Sequence, residues 1–476
     1  MNSALDAAGE LAIRSLILRA PLASSLADVF KAAGFRLALV GGPVRDAILG
    51  RLGNDLDFTT DAPPETSKKI LSRWAENVWD TGIAFGTVAG RRGDTTVEVT
   101  TYRSDEYTTD SRKPGVTYGE SLEVDLSRRD FTVNAMALEL TKGAPEFIDP
   151  FNGLHDLSQK LLRTPGGAET SFSDDPLRMM RAARFASQLD FTVADDVLHA
   201  MKEMAGRLSI ISHERIRDEF TKILMSHNPR IGITMLVDTG LADFVVSEIP
   251  KLRLEIDEHH HHKDVYEHSL TVLEQAIVQE GRLGGPNLVL RLAALLHDIG
   301  KPKTRAHIPG GGVSFHHHEV VGARLSRERL KTLRFDGDTI DEVSTLIALH
   351  LRFHGYGDGE WTDSAVRRYV RDAGALLIHL HILTRADCTT RNRRRADALA
   401  ATYQSLEDRI ELLMEEEELS KIRPDLDGGQ VMEILNLRPS AAVGQALDFL
   451  LELRLENGPL GEVRAKEELL KWWSTK

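Results

Sequence analysis

The chain is predicted to be α+β, a small mixed α/β head followed by a long helical body. Three observations predict this. Residues 35 to about 150 carry short β-rich runs bounded by turn residues. Past Ser171 the β signal fades, and apolar residues recur at helical spacing nearly to Lys476. Length is the third: 476 residues exceed one ordinary core, so roughly three or four domains or subdomains are expected. The sequence shows no internal repeat and no low-complexity tract.

The elements follow in order. Residues 4 to 34 read as helix, with Leu and Ala at three- and four-residue spacing. Arg36 to Val40 is a short apolar strand, followed by Gly41-Gly42-Pro43-Val44-Arg45-Asp46, a turn opening a short helix. Asp55-Leu56-Asp57 then starts a second strand. Ile83 to Ala89 and Thr95 to Tyr102 are β-rich and flank Arg91-Arg92-Gly93-Asp94, a hairpin turn. Phe131 to Leu140 is apolar enough for a strand or the start of a buried helix. The helical body is interrupted by Gly/Pro turns near 281–286, 308–312 and 426–429.

Composition narrows the function classes. Hydrophobic residues make up 42% of the chain, enough for a sizeable core. Cys388 is the single cysteine, so no intrachain disulfide forms and a reducing compartment fits. No apolar run reaches the ~18 residues of a membrane span and no leader pattern opens the chain, so a cytoplasmic location is expected. The net charge of −13 argues against a uniformly basic nucleic-acid binder. Arginines nevertheless cluster at Arg128-Arg129, at Arg178, Arg181 and Arg184, at Arg215 and Arg217, and over Arg391 to Arg395, while Glu415 to Glu418 is acidic. Any one such cluster is ordinarily a solvated helix face.

The chemistry concentrates in four blocks. On a strand, residues i and i+2 point to one face, so Asp55 and Asp57 direct two carboxylates at one point, as a pair of Mg²⁺ ions requires. Glu98 is the candidate third carboxylate, on a strand expected to neighbour Asp57; a solvent-facing glutamate is the rival reading. Gly41 and Gly42 let the backbone approach a triphosphate, and Arg45 adds charge. This donor set suits phosphoryl transfer without a covalent nucleophile.

The second block is Arg128-Arg129-Asp130-Phe131-Thr132-Val133-Asn134-Ala135-Met136. Its cations suit triphosphate oxygens, and Asp130 and Asn134 can hydrogen-bond a ribose. The third runs from Asp174 to Phe185, with a carboxylate and Pro176 opening a helix and Arg178, Arg181 and Arg184 along one face. Cytosine and adenine each present an amino donor beside a ring-nitrogen acceptor, and uracil and guanine present the reverse. Asp175 with Arg178 can therefore accept C and A and reject U and G.

These blocks, with Ser212-His213-Glu214-Arg215-Ile216-Arg217-Asp218-Glu219, resemble class II tRNA nucleotidyltransferases, the CCA-adding branch of the family that also holds bacterial poly(A) polymerases. The resemblance spans nearly the whole chain. It implies that Gly42, Arg45, Asp55, Asp57, Arg129, Asp175, Arg178, Arg181 and Arg184 match nucleotide or metal positions, and that the fourth block steadies the helix that reads the base. The third block departs mildly, opening Asp174-Asp175 where Glu-Asp is common. Many poly(A) polymerases of this family carry Gly-Arg-Arg-Phe where this chain has Gly82-Ile83-Ala84-Phe85, which favours CCA addition. The implied partners are tRNA, ATP and CTP, with neither DNA nor a membrane, and the implied cofactor is Mg²⁺ in the head.

A separate set lies between 259 and 387: His268, His297-Asp298, His318, His350, His354 and Asp387. A histidine, then His-Asp after an apolar helix, then a distant aspartate suits a second divalent metal. The pattern resembles the HD phosphohydrolase superfamily, which implies His268, His297, Asp298 and Asp387 as ligands, with His318 and His350 serving a further metal or a phosphate. His259 to His262 leads straight into this region and is read as native, lining the pocket. The expected division is a nucleotidyltransferase head at 1–165, a neck at 166–255, an HD domain at 256–395 and a tRNA-binding tail at 396–476. The expected activity is template-independent addition of C, C and A to tRNA 3′ ends. Its rivals are an A-adding or poly(A)-adding enzyme, a metal phosphohydrolase with a nucleotide-binding head, and a non-catalytic tRNA-binding factor.

Overall fold

Four consecutive buried residues, Leu37–Val40, make the strand on which the head is built. A strand buried on both faces reads as a continuous apolar run, and here it has neighbours on either side. The structure is a computed structural model that describes residues 7, 10, 13, 21–106, 115–118, 121–254, 264–308, 313–353, 361–390, 392–417 and 423–476. Two units divide the chain, Met1–Val245 and Val246–Lys476. Of the helix expected over 4–34, the described part is Pro21–Ala32; the remainder before Pro21 lies outside the described residues apart from 7, 10 and 13. The His259–His262 run, His354 and Arg391 also lie outside them.

In the first unit the strands of the head are β1 (Leu37–Val40), β2 (Asp55–Thr60), β3 (Asn77–Trp79), β4 (Thr87–Arg92), β5 (Thr95–Thr101), β6 (Arg103–Glu106), β7 (Gly115–Tyr118), β8 (Ala137–Glu139) and β9 (Glu146–Ile148), and a short parallel pair, Leu161–Leu162 with Thr192–Val193, lies beyond them in sequence. Seven of them form one sheet in the order β3-β4-β5-β2-β1-β8-β9, and β6 pairs with β7 apart from it. β2 lies antiparallel to β1 and parallel to β5, with Asp57 directly opposite Glu98. Leu56, Phe58, Val97 and Val99 are buried, so the alternating carboxylates face outward from the same layer.

Two segments differ from the sequence expectation. Ile83–Phe85 is a 3₁₀ turn rather than strand, because its amides bond back locally (Phe85 N to Gly82 O, 2.9 Å), and β4 begins at Thr87. The 131–140 stretch is a 3₁₀ turn over Thr132–Asn134 followed by β8, which resolves the strand-or-helix ambiguity. Beyond the sheet, the helix Leu177–Leu189 packs its buried Met179, Met180, Ala182 and Ala183 inward, and the helices His213–Leu224 and Pro229–Asp238 lie against it.

The second unit is helical. Val265–Gln279, Leu288–Leu296, His318–Thr332, Gly337–Leu349 and Leu377–Asp387 surround one another around buried Leu273, Leu292, Leu295, Val343 and Leu383. Asp363–Ala373 comes just before the last of these, and the long helix Arg393–Glu417 follows it. The last three helices, Gly428–Leu435, Ala441–Asn457 and Gly461–Trp473, enclose a small core of Leu426, Val431, Leu450 and Leu469. The break near 426–429 is a helix start: Asp427 and Gln430 form a reciprocal capping box, both bonds at 2.8 Å. Among the described residues, no helix is long and apolar enough to cross a membrane.

Candidate active site and candidate metal centre

The head site begins where β1 ends. Gly41 has φ +74, and its backbone turns left-handed between β1 and the helix Gly42–Ile48. A Cβ there would stand 2.9 Å from Arg129 Nη1 and 4.0 Å from Asp57 Oδ2. Only glycine allows this approach. The turn, Arg129 and the Asp57 carboxylate therefore border one small volume.

Asp55 and Asp57 project from β2, and Glu98 projects from β5 beside Asp57. The crowding of protein around Asp57 is the main influence that pushes its carboxyl up to about 6, and Glu98 and Asp55 add to it against the pull of Arg129 and Arg181. Water still reaches Asp57 from the open side of the strand. The donor set of Asp55, Asp57 and Glu98 is all oxygen, which suits a hard cation. Among the described residues, the head carboxylates do not bring three donor atoms within 4.8 Å of one another.

Arg45 turns back toward the second block. It donates to Asn134 Oδ1 and pairs with Asp46 at 2.9 Å. Asn134 Nδ2 in turn donates to Asp130 Oδ1 at 2.9 Å. Arg181 Nε donates to Asp130 Oδ2 at 2.8 Å, with a second bond from Nη2. Burial alone would raise the Asp130 carboxyl, but the Arg181 charge and the Asn134 and Arg181 hydrogen bonds hold it well below the usual carboxylate range. Both groups read from the sequence as ribose contacts are thus engaged with protein partners here. Their bonds join the head to the helix Leu177–Leu189.

Asp175 lies just before that helix, and Arg178 lies in its first turn. Asp175 Oδ1 accepts from Leu177 N at 3.1 Å, and Oδ2 pairs with Arg215 at 2.9 Å. Arg178 donates to Ser171 Oγ at 2.9 Å and to the Arg128 carbonyl. Arg184 is buried and pairs with Glu219 at 2.9 Å. Burial first, then the Arg181 charge, pushes Arg184 down to about 10 in spite of Glu219. The Arg45, Arg181 and Arg184 guanidinia all lie over the Phe185 ring, at 5.2, 5.5 and 4.3 Å from its centroid. The fourth block holds the third through Arg215 and Glu219. Arg178 and Arg181 face the head, whereas Arg184 faces Glu219.

Sequence reasoning missed Asp125, on the helix Leu122–Ser127. It is fully buried and binds both Arg128 and Arg129. The signal was available, since a carboxylate three and four residues before two arginines shares their helical face.

In the second unit the histidines converge. His268 Nε2 lies 2.9 Å from Asp387 Oδ1 and 3.3 Å from His297 Nε2, and His297 Nε2 lies 3.2 Å from Asp298 Oδ2. His318 Nε2 lies 3.3 Å from Asp298 Oδ1. Two groups, His268 with His297 and Asp387, and Asp298 with His318 and His350, each bring their donor atoms within 4.8 Å. The far ring nitrogens are committed: His297, His318 and His350 Nδ1 face the carbonyls of Ala294, Phe315 and Ile347 at 2.9, 2.8 and 2.7 Å. His268 Nδ1 faces Thr389 Oγ1 at 3.2 Å. Such bonds orient Nε2 for a metal. His350 Nε2 is buried without a hydrogen bond, and Asp298 Oδ2 lies 2.8 Å from Lys301 Nζ. Burial pushes His350 down to about 3, which keeps its imidazole neutral. Burial opposes charge on His297 as well, yet Asp298 and Asp387 outweigh it and push it up to about 10. The cluster calls for a positive charge and fits a divalent ion. Lys301 and Thr389, which touch Asp298 and His268, were not read from the sequence. Gly300 is required by packing, since a Cβ there would stand 2.1 Å from the His318 carbonyl oxygen.

Three family models match successive stretches of the chain. The "Poly A polymerase head domain" family matches residues 37–163, the "Probable RNA and SrmB- binding site of polymerase A" family 190–252, and the HD domain family 265–392. The chain is similar to an A-adding tRNA nucleotidyltransferase of Deinococcus radiodurans, 33% identical over 90% of this chain and 93% of that one. It is also similar to a CCA-adding enzyme of Streptococcus uberis, 44% identical over 45% of this chain; that alignment spans 52% of the relative. The crystal structure of a Bacillus stearothermophilus CCA-adding enzyme in complex with CTP shares the fold, with a TM-score of 0.68, 24% identity and coverage of 95% of this chain and 97% of that one.

Proposed function

The chain belongs to the family of tRNA nucleotidyltransferases and bacterial poly(A) polymerases, and from that premise we propose that it adds C, C and A to tRNA 3′ ends from CTP and ATP. The observation that carries this is the placement of Asp57 and Arg129 against the Gly41 turn, joined through Asp130 and Arg181 to the helix that bears Arg178 and follows Asp175. Phosphate chemistry and base choice thereby share one bonded framework.

Asp55 and Asp57, with Glu98 beside them, would hold Mg²⁺. Bound there, the metal would activate the attacking hydroxyl and steady the departing pyrophosphate. The chain does the rest. The Gly41–Gly42 turn and Arg129 take the triphosphate, and Asp175 and Arg178 meet the pairing edge of C or A. Asp130 and Asn134, hydrogen-bonded to each other, would meet the ribose in this scheme. In the second unit, His268, His297, Asp298 and Asp387 would hold a further divalent metal for phosphoester hydrolysis.

A second reading is addition of A alone, favoured by the relative that aligns along 90% of this chain. The two are separated by offering tRNA truncated before its CCA end, first with CTP alone and then with ATP. The proposal expects two C additions followed by one A. Extension by ATP only on tRNA already ending in CC would establish the second reading.

A further inference from the structure

Asp125 is fully buried, yet the scheme above gives it no contact with nucleotide or metal. Its Oδ1 accepts from Arg128 Nη2 at 3.2 Å and Nε at 3.4 Å, and its Oδ2 accepts from Arg129 Nη2 at 3.2 Å. The other end of the Arg129 guanidinium, Nη1, is the atom that a Gly41 side chain would meet at 2.9 Å. One carboxylate thus anchors two neighbouring cations, and one of these lies against the phosphate turn. Arg128 is fixed a second time, through its carbonyl, by Arg178 of the base-reading helix.

We infer that Asp125 is a positioning residue for nucleotide binding, which aims Arg129 at the triphosphate beside Gly41. This rests on reading the head as a nucleotide site. A long arginine side chain loses rotamer freedom when it clamps an anion, and an anchor that has already fixed it removes that loss from the binding step. Asp125 does this from a solvent-free position, where its bonds to the guanidinia are charge-assisted.

Charge and position predict opposite signs, which makes the inference testable. Neutralising a carboxylate beside two cations strengthens the local field on an anion, so electrostatics alone expects tighter triphosphate binding in Asp125→Asn. Loss of the anchor expects weaker binding. In the full-length protein with Mg²⁺, CTP and cytidine are compared as ligands, together with kcat at saturating CTP. For Asp125→Asn we expect CTP to bind about tenfold more weakly, cytidine to stay within about twofold, and kcat within about threefold. Asp125→Glu should recover part of the CTP affinity. Arg129→Ala should match the Asn variant, and the double variant should fall no more than about threefold below Arg129→Ala, because the two act as one unit. Unchanged or tighter CTP binding, a parallel loss of cytidine, or additive losses in the double variant would overturn the inference. A parallel loss is also what general damage to the fold produces, so the ratio of the two ligands separates that case. If the wild-type chain bound no CTP, the nucleotide reading itself would fail and take this inference with it.

Discussion

Asp57 sits where a carboxylate is least stable alone, beside Glu98 and Asp55 and hemmed in by protein. Asp55→Ala removes one of the two oxygen donors that β2 presents, and incorporation of both C and A should fall by at least ~10³-fold. Retained turnover in the purified variant would end the metal assignment. Asp175 answers a different question. Its Oδ2 pairs with Arg215 while its Oδ1 accepts from Leu177 N, so the carboxylate is held at two points. Asp175→Ala should lower discrimination of C against U by roughly 10-fold or more, consistent with ~1–3 kcal/mol per recognition pair, while triphosphate affinity changes less. An unaltered C-to-U ratio in competition assays would reject that role. Asp55, Asp57 and Glu98 were legible because a two-residue strand period fixes their face. The engagement of Asp130 with Arg181 was not, since the partners are 51 residues apart and only the fold brings them together.

Helices here are joined by ion pairs whose burial decides their worth. Arg184 and Glu219 connect Leu177–Leu189 to His213–Leu224, with side chains 8% and 5% exposed. Glu219→Ala leaves a buried guanidinium without its counter-charge, which costs about 3 kcal/mol or more, seen as a lower midpoint for the first thermal transition. The long helix Arg393–Glu417 is tied to Leu377–Asp387 by Glu407, which meets Arg385 at 3.1 Å and His381 at 3.3 Å. Burial would raise the Glu407 carboxyl, but the bonds from His381 and Arg385 hold it at about 2. The folded value lies below the ordinary one, so this stabilisation is present above about pH 4.5 and is lost as pH falls toward 2. Glu407→Gln should flatten the acid limb of stability against pH in that window; an identical limb in both proteins would discount the pair. Sequence periodicity located these helices, and the Asp427 cap was visible as a break whose meaning inverted. Asp-Gly-Gly reads as a turn, yet Gln430 three residues on makes it a helix start. At Ile83–Phe85 the β-rich composition misled, because local amide bonds satisfied the backbone without a ladder.

At the scale of the whole molecule the two proposed sites belong to different units, the carboxylates of β2 and β5 to Met1–Val245 and the histidine-rich cluster to Val246–Lys476. Asp387→Asn should lower divalent metal in the purified protein severalfold by elemental analysis while nucleotide addition persists. Undiminished metal would discount the histidine pocket as a metal site. The order His, His-Asp, Asp was readable along the chain, whereas the fixing of Nε2 by backbone carbonyls required the folded helices. One feature of the head reaches further. The acids of β2 and β5 are aligned by the same ladder that seals Leu56, Phe58, Val97 and Val99 in the interior. A slip of one residue would drive carboxylates into oil and leucine into water at a stroke. Assembly is therefore its own inspection: a copy of this chain that has folded at all has already lined up its acids, and a misaligned copy excludes itself by failing to fold.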